Sequence, residues 1–355
     1  MIISANSDVA RWHVQTAAGF GSNIECTTNF DYFISTAGQK ISVFHVPYPY
    51  DRGYGETFEK TLDQAIPHSE RVVVLCSELH DDTVSGIKRY DPKIGYFLCG
   101  FADTLPSTPW MDFFTTSSYF YKHHGGEILN QLDPYKTKSK IFDILLGRPK
   151  AHRDFVYNFI KQHKLEDHVV MTYILKETIP SENSNDWIWE DDGLELIEKD
   201  IKWTVSQVKY YGYQMSLSQV VPIKIYNETA YSVVCETNFS NYYSFYTEKI
   251  VKPILAKRLF IVLSGQNYLK NLRSLGFKTF DGIIDESYDS IADQNHRFRM
   301  ACEQIHYLIS QPQEKILQQI QHITEHNQQV MLSTEWSDEY FKLLREFLLA
   351  HTEQN

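Results

Sequence analysis

The sequence predicts an α/β protein of two domains, each built on a parallel sheet. Three observations predict it. The chain has 355 residues, more than a single hydrophobic core usually organises. Short apolar runs of strand length alternate with amphipathic stretches of helix length, the grammar of βαβ units. That grammar occurs twice, on either side of the polar stretch "DPYKTKSK" at residues 133–140.

In the first part, "KISVFHVPYPY" reads as a strand ending in a proline-rich turn, and "YGETFEKTLDQAIPH" as a helix. "SERVVVLCSEL" is a buried strand, "DDTVSGIKRYD" a helix and "KIGYFLCG" a second buried strand. The second part opens with strand "SKIFDILLGR", amphipathic helix "RDFVYNFIKQHKL" and strand "DHVVMTYIL". Residues 177–222, with "PSENSNDWIWEDDGLE", lack a clear period and read as an irregular insertion. Strand "TAYSVVCET", helix "EKIVKPILAK", strand "RLFIVLSG", helix "NYLKNLRSLG" and a short strand "FKTF" follow. Two helices near 287–310 and 312–330 lead to "SDEYFKLLREFLLAHT", which has a clean helical period. The expected organisation is an N-terminal domain of residues 1–136, a C-terminal domain of 137–335 and a last helix, 336–355, packing back on the first domain.

Composition excludes some functions. A net charge of -11 argues against a general nucleic-acid binder, which needs a basic footprint. Five cysteines (Cys26, Cys76, Cys99, Cys235 and Cys302) show no metal-ligand spacing and sit mostly in apolar runs, as in a reducing compartment. "MIISANSDVARWHVQ" lacks the basic and apolar regions of a signal peptide, and no apolar run reaches membrane-spanning length. A cytoplasmic protein, at most peripheral to a membrane, is expected.

Chemistry-bearing residues collect where strands end. In an open parallel sheet, ligands bind at the C-terminal strand edge. "LLGRPKAHRDFVYNF" ends a strand at Gly147 and places Arg148, Lys150, His152 and Arg153 before a helix. Such cations beside a helix N-terminus suit a diphosphate, although a solvated basic turn has the same composition. In "YSVVCETNFSNYYSFYTEKIVKPILAKRLFIVLSG" a strand ends at Glu236, Thr237 and Asn238, and a helix starts after Thr247, a natural N-cap. Glu248 suits the first turn, whereas Lys249 opposes the helix dipole unless an anion lies nearby. Pro253 implies a kink or a late start. "HHGGE" at residues 123–127 has the composition of a metal site or a glycine-rich phosphate loop, but adjacent histidines diverge on any element. "GYG" at 53–55 reads as a tight turn.

The segment from Tyr231 to Gly265, together with "GRPKAHRDFVYNF" and "LRSLGFKTFDGIIDESYDSI", resembles the donor-binding domain of GT-B glycosyltransferases of the fucosyltransferase-like and exostosin-like kind, and of related bacterial and phage enzymes. The resemblance spans roughly residues 140–310. It implies a GT-B fold, two Rossmann-like domains facing a central cleft, and transfer of a sugar from a nucleoside-diphosphate sugar to a glycan, lipid-linked or protein acceptor. By motif, Arg153 and Lys249 would neutralise the diphosphate, with Arg148 as a further phosphate contact. Glu248 would accept from ribose or sugar hydroxyls, Glu236 and Asn238 would line the pocket beside Thr247, and Tyr246 could stack on base or sugar. "CETN" departs from the Phe-Glu-Asn element of fucosyltransferases, which argues against fucose itself.

Fixed cations and helix dipoles can stabilise a departing diphosphate without a metal, and no Asp-X-Asp stands at a strand end. A metal-independent, inverting transferase without cofactor is therefore expected. Its base should come from the N-terminal domain. "VVVLCSELHDDT" offers Glu78 first, then His80, with Asp81 and Asp82 better suited to capping; His45, Asp51 and Glu56 are similarly placed. The alternatives are a metal-dependent GT-A-like transferase using the acidic cluster near Asp191, and a non-catalytic nucleotide-sugar-binding protein.

Overall fold

The computed structural model describes the chain apart from residues 19–24, 47–59, 61, 77–90, 104–105, 174–177, 180–193, 199–206, 240–242 and 350–355. It forms two compact units, Met1–Asp112 with Glu335–Asn355, and Phe113–Thr334. No helix among the described residues is long and apolar enough to cross a membrane.

The first unit contains β1 (Ile2–Ala5), β2 (Glu25–Thr27), β3 (Lys40–Val46), β4 (Arg71–Cys76), β5 (Ile94–Cys99), a two-residue β6 (Phe101–Ala102) and β7 (Thr108–Trp110). Its sheet has the order β2-β1-β3-β4-β5-β7, and every pairing is parallel. The runs "SVFH", "VVVLC" and "YFLC" are buried throughout, as strands covered on both faces of a parallel sheet require, while Arg71 at the start of β4 and Gly95 in β5 are intermediate. β1 had no counterpart in the expected elements. Its four residues are too short to show a period, yet Ile3 is fully buried between β2 and β3. Beyond its end, the Asn6 side chain exchanges two hydrogen bonds with the backbone of His45, at 2.8 and 3.1 Å, and so extends the pairing of β1 with β3.

The last helix, Asp338–Leu349, belongs to this unit. Tyr340 donates to or accepts from Nδ1 of His13 at 2.8 Å and stacks on Trp110, while Tyr340, Leu344 and Leu348 are buried at helical spacing. Phe347 lies against Gly95, where an added Cβ would fall 2.8 Å from its ring, and Arg71 covers the same ring at 5.0 Å. Glycine in β5 thus makes room for the helix. Gly95→Val is expected to destabilise the first unit by about 1–3 kcal/mol through overpacking, and a Phe347→Ala background should relieve most of that loss in thermal unfolding. Equal losses in both backgrounds would refute the contact.

The second unit contains β8 (Lys140–Leu146), β9 (Val169–Tyr173), β10 (Thr178–Ile179), β11 (Leu194–Glu198), β12 (Gln207–Tyr210), β13 (Tyr213–Ser216), β14 (Thr229–Cys235), β15 (Tyr243–Ser244) and β16 (Phe260–Leu263). Its main sheet runs β10-β9-β8-β14-β16, four parallel strands with β10 antiparallel at the edge. The order reverses between β8 and β14, which makes that gap the switch point where ligands enter such sheets.

Two expectations are corrected here. The stretch 177–222 includes a three-stranded antiparallel sheet, β11-β12-β13. Its tight hairpin turns at Tyr211 and Gly212, both at positive φ (49° and 86°), the two-residue geometry that matches strand twist. "FKTF" is not a strand: Asn327, buried on helix Gln313–Ser333, donates to the carbonyl of Lys278 and accepts from its N–H, so a side-chain amide takes the place of a neighbouring strand. "HHGGE" lies within helix Asp112–Leu129. From Phe113 on, that helix belongs to the second unit. Phe114 packs on Tyr246 and Phe277, Phe120 on Tyr210, and Tyr121 hydroxyl bonds Val221 N–H, all within the second unit.

Candidate functional site at the switch point of the second unit

Helix Ala151–Gln162 begins where β8 ends. His152, Arg153, Val156, Phe159 and Ile160 form its buried stripe. Its N-cap is Lys150, whose side chain makes no capping bond, so this helix lacks the Ser, Thr, Asp or Asn that normally satisfies the first N–H groups. An electropositive helix end is therefore joined by Lys150 and Arg153.

β14, across the switch point, ends at a hub made by Glu236 and Thr237. The Glu236 carbonyl accepts from His152 Nε2 at 2.7 Å and from Arg153 Nη2 at 3.4 Å. The Thr237 carbonyl accepts from Lys150 Nζ at 2.6 Å, and its hydroxyl accepts from Lys249 Nζ at 3.2 Å. Residues distant in sequence, Lys150, His152, Arg153, Glu236, Thr237 and Lys249, thus meet at one strand end.

Arg153 is 4% exposed, yet it holds only backbone carbonyls, those of Arg148 (2.7 Å) and Glu236. Its Nε has no partner, and no carboxylate lies within ion-pair distance among the described residues. Burial lowers its pKa, with partial compensation from nearby acidic groups. A buried arginine without a counter-ion is uncommon, because desolvating a charge costs several kcal/mol unless it is paired. Arg148 itself is exposed. His152 is fully buried and stacks on Phe239. Because Nε2 faces a carbonyl it carries the proton, leaving Nδ1 a buried acceptor without a donor. Burial, and then the Arg153 charge, hold its pKa well below the usual histidine range, so the ring is neutral.

The carboxylate of Glu236 is fully occupied inside the protein. It accepts from Thr247 Oγ1 (2.6 Å), Tyr268 hydroxyl (2.8 Å) and the N–H groups of Thr237 and Thr247 (both 3.2 Å). Burial raises its pKa, and Lys249 and the hydroxyl donors oppose that rise. Four donors fill the acceptor positions of a carboxylate, so Glu236 ties the end of β14 to the start of helix Glu248–Leu255 and has no position left for a pocket ligand. Asn238 donates to the Tyr243 carbonyl at 2.6 Å and its own carbonyl accepts from Ser264, which braces the loop. Tyr246 is buried, bonds the Tyr268 carbonyl at 2.8 Å and packs on that ring and on Phe114, a core position rather than a stacking face.

Thr247 is the N-cap of helix Glu248–Leu255, accepting from Lys249 N–H at 3.3 Å. The conflict between Lys249 and the helix dipole is met first by its neighbour: Lys249 Nζ lies 2.6 Å from Glu248 Oε1. Burial raises the Glu248 carboxyl, but Lys249 and Lys252 outweigh it and hold the group below its usual range. Pro253 lies within this helix, which ends two residues later. Its missing N–H falls in the last turn, so the first turn and its cap stay intact.

Tyr268 and Lys252 had no sequence signal. Tyr268 reaches Glu236 from 32 residues away. Lys252 faces a cavity of about 30 Å³ with Asp143, Cys235 and Lys249, and burial pushes its pKa down to about 8. Burial likewise pushes the Cys235 thiol up to about 12, which removes it as a nucleophile at neutral pH. Glu78, His80, Asp81, Asp82, Asp51 and Glu56, and the acidic cluster near Asp191, lie outside the described residues. His45 is buried at the end of β3.

The arrangement can hold an anion with fixed cations and helix N–H groups at a parallel-sheet switch point. Comparison with protein-family models, curated proteins and solved structures finds no match for this chain.

Proposed function

We propose that the second unit binds a nucleoside-diphosphate sugar at the gap between β8 and β14, and that the chain is a glycosyltransferase of the GT-B type. The single observation that carries this reading is Arg153, buried at the switch point without a carboxylate partner among the described residues and with Nε unpartnered there. A diphosphate supplies the missing counter-charge, and Arg148, Lys150 and the first N–H groups of helix Ala151–Gln162 surround the same strand end. The resemblance of residues 140–310 to donor-binding domains supports a sugar nucleotide over other phosphate esters.

In this reading Glu248, held by Lys249, accepts from ribose or sugar hydroxyls. Glu236, Asn238, Thr247 and Tyr246 hold the walls of the pocket. In the transfer step the acceptor oxygen bonds to the anomeric carbon and the bond from that carbon to the β-phosphate oxygen breaks. Its electron pair leaves with the nucleoside diphosphate, and the acceptor proton passes to a general base, the role expected of Glu78 and then His80. Arg153 and its neighbours stabilise the charge that develops on the leaving group.

Release of nucleoside diphosphate from a panel of sugar nucleotides tests the activity. Slow release into water, faster with an acceptor sugar and unchanged by chelator, is expected. Turnover abolished by chelator and restored by manganese would overturn the metal-independent mechanism, and no release from any donor would overturn the assignment as an enzyme.

A further inference from the structure

The N-terminal edge of the first unit's sheet carries a second charged feature, independent of the sugar-transfer reading. Lys40 opens β3, Arg71 opens β4 and Lys93 stands one residue before β5. These strands are consecutive neighbours, with Ile41 paired to Arg71 and Val72 to Ile94, so the three cations form a row across adjacent strands about 4.8 Å apart. They line a groove of about 530 Å³ together with Gly38, Pro67, His68, Ser69, Glu70 and Pro92.

Each cation of the row has a main-chain acceptor. Lys40 Nζ donates to the Ile34 carbonyl, Arg71 Nη1 to the Pro92 carbonyl at 3.1 Å and Lys93 Nζ to the Ser69 carbonyl at 3.2 Å. Neither the Lys40 nor the Lys93 ammonium reaches a carboxylate among the described residues, although the Lys93 main-chain N–H donates to Asp91 at 2.9 Å and Glu70 lines the same groove. Like charges on adjacent strands repel, and here they gather in a chain whose net charge is -11. Rigid turns at Pro67 and Pro92, and Gly38 at φ +117°, shape the groove around them.

We propose that this groove is a binding site for a phosphorylated ligand bearing two or more negative charges, bridged by Lys40, Arg71 and Lys93. A row spanning three strands matches the spacing of successive phosphates better than a single carboxylate, and charge-assisted bonds to phosphate oxygens leave each lysine its carbonyl contact. Such phosphates occur on soluble esters and on lipid headgroups, and the test separates the two.

Inorganic tripolyphosphate is titrated calorimetrically into the full chain carrying Arg153→Gln, so that the second unit's site does not contribute. Vesicles of phosphatidylglycerol or of phosphatidylcholine are sedimented with the same protein. Binding of tripolyphosphate is expected to weaken at least tenfold in Lys40→Gln/Lys93→Gln, to be retained in Lys40→Arg/Lys93→Arg and to fall with added salt. Co-sedimentation with phosphatidylglycerol alone, lost in the glutamine variant, identifies a lipid source; tripolyphosphate binding without co-sedimentation identifies a soluble one. Should the glutamine double variant fail to fold, Lys93→Glu, at an exposed position, carries the same prediction. Absence of binding to both probes, or equal binding by parent and charge variants, overturns the site.

Discussion

Asp143→Ala is expected to destabilise the second unit by about 3–5 kcal/mol, the usual result of leaving one member of a buried ion pair without the other. Arg258 and Asp143 meet at 2.8 Å with both side chains almost entirely buried. Arg258 also bonds the hydroxyls of Ser232 and Thr229 and the carbonyls of Tyr226, Thr229 and Tyr231, and lies over the Tyr226 ring. Asp143 is the cross-strand partner of Ser232, which donates to it at 2.7 Å. The pair therefore fixes β14 against β8, and those strands define the switch point. Urea unfolding of the full chain measures the loss. Asp143→Asn, which keeps the Ser232 bond, should lose less than alanine; no difference between Asp143→Ala and the parent would show that the network carries no stability.

Arg153→Gln should weaken binding of a nucleoside diphosphate by about 30-fold or more, since truncating one partner of a buried charged contact commonly costs 2–5 kcal/mol. The free protein should tolerate the change much better than the complex. Its Arg153 faces two carbonyls and no acid, so removal leaves no orphaned anion. Arg153→Lys keeps the charge but not the planar fork, and an intermediate affinity is expected. Glu236→Gln gives a contrasting outcome. Its carboxylate accepts from four donors, so an amide there sets a second donor against Thr247 or Tyr268 and should lower stability before it lowers affinity.

Much of the second unit was legible in the sequence because buried parallel strands are written as mainly apolar runs. "IFDILL", "VVMTY", "YSVVC" and "FIVL" each became a strand, and the cations of "GRPKAHR" stand beside the end of β14. What the sequence hides is the direction in which a polar side chain is satisfied. Glu236, Asn238 and Tyr246 have the composition of a ligand pocket, yet each is satisfied inside the protein, by partners as far as 32 residues away. Local pattern also misled where a side chain replaced backbone pairing, as Asn327 does beside "FKTF". The two glycines of "HHGGE" lie inside helix Asp112–Leu129, whose surrounding turns are packed by Phe114, Phe120 and Tyr121, and tertiary contact outweighs their low helix propensity. β1 was missed because four residues at the chain's start carry no period.

The most direct measurement is a thermal-shift comparison of the common nucleoside diphosphates on the parent chain and on Arg153→Gln. At least one diphosphate is expected to raise the unfolding temperature of the parent, and this rise is expected to be lost in the variant. A parent that none of them stabilises, or a variant that responds as the parent does, would contradict this expectation.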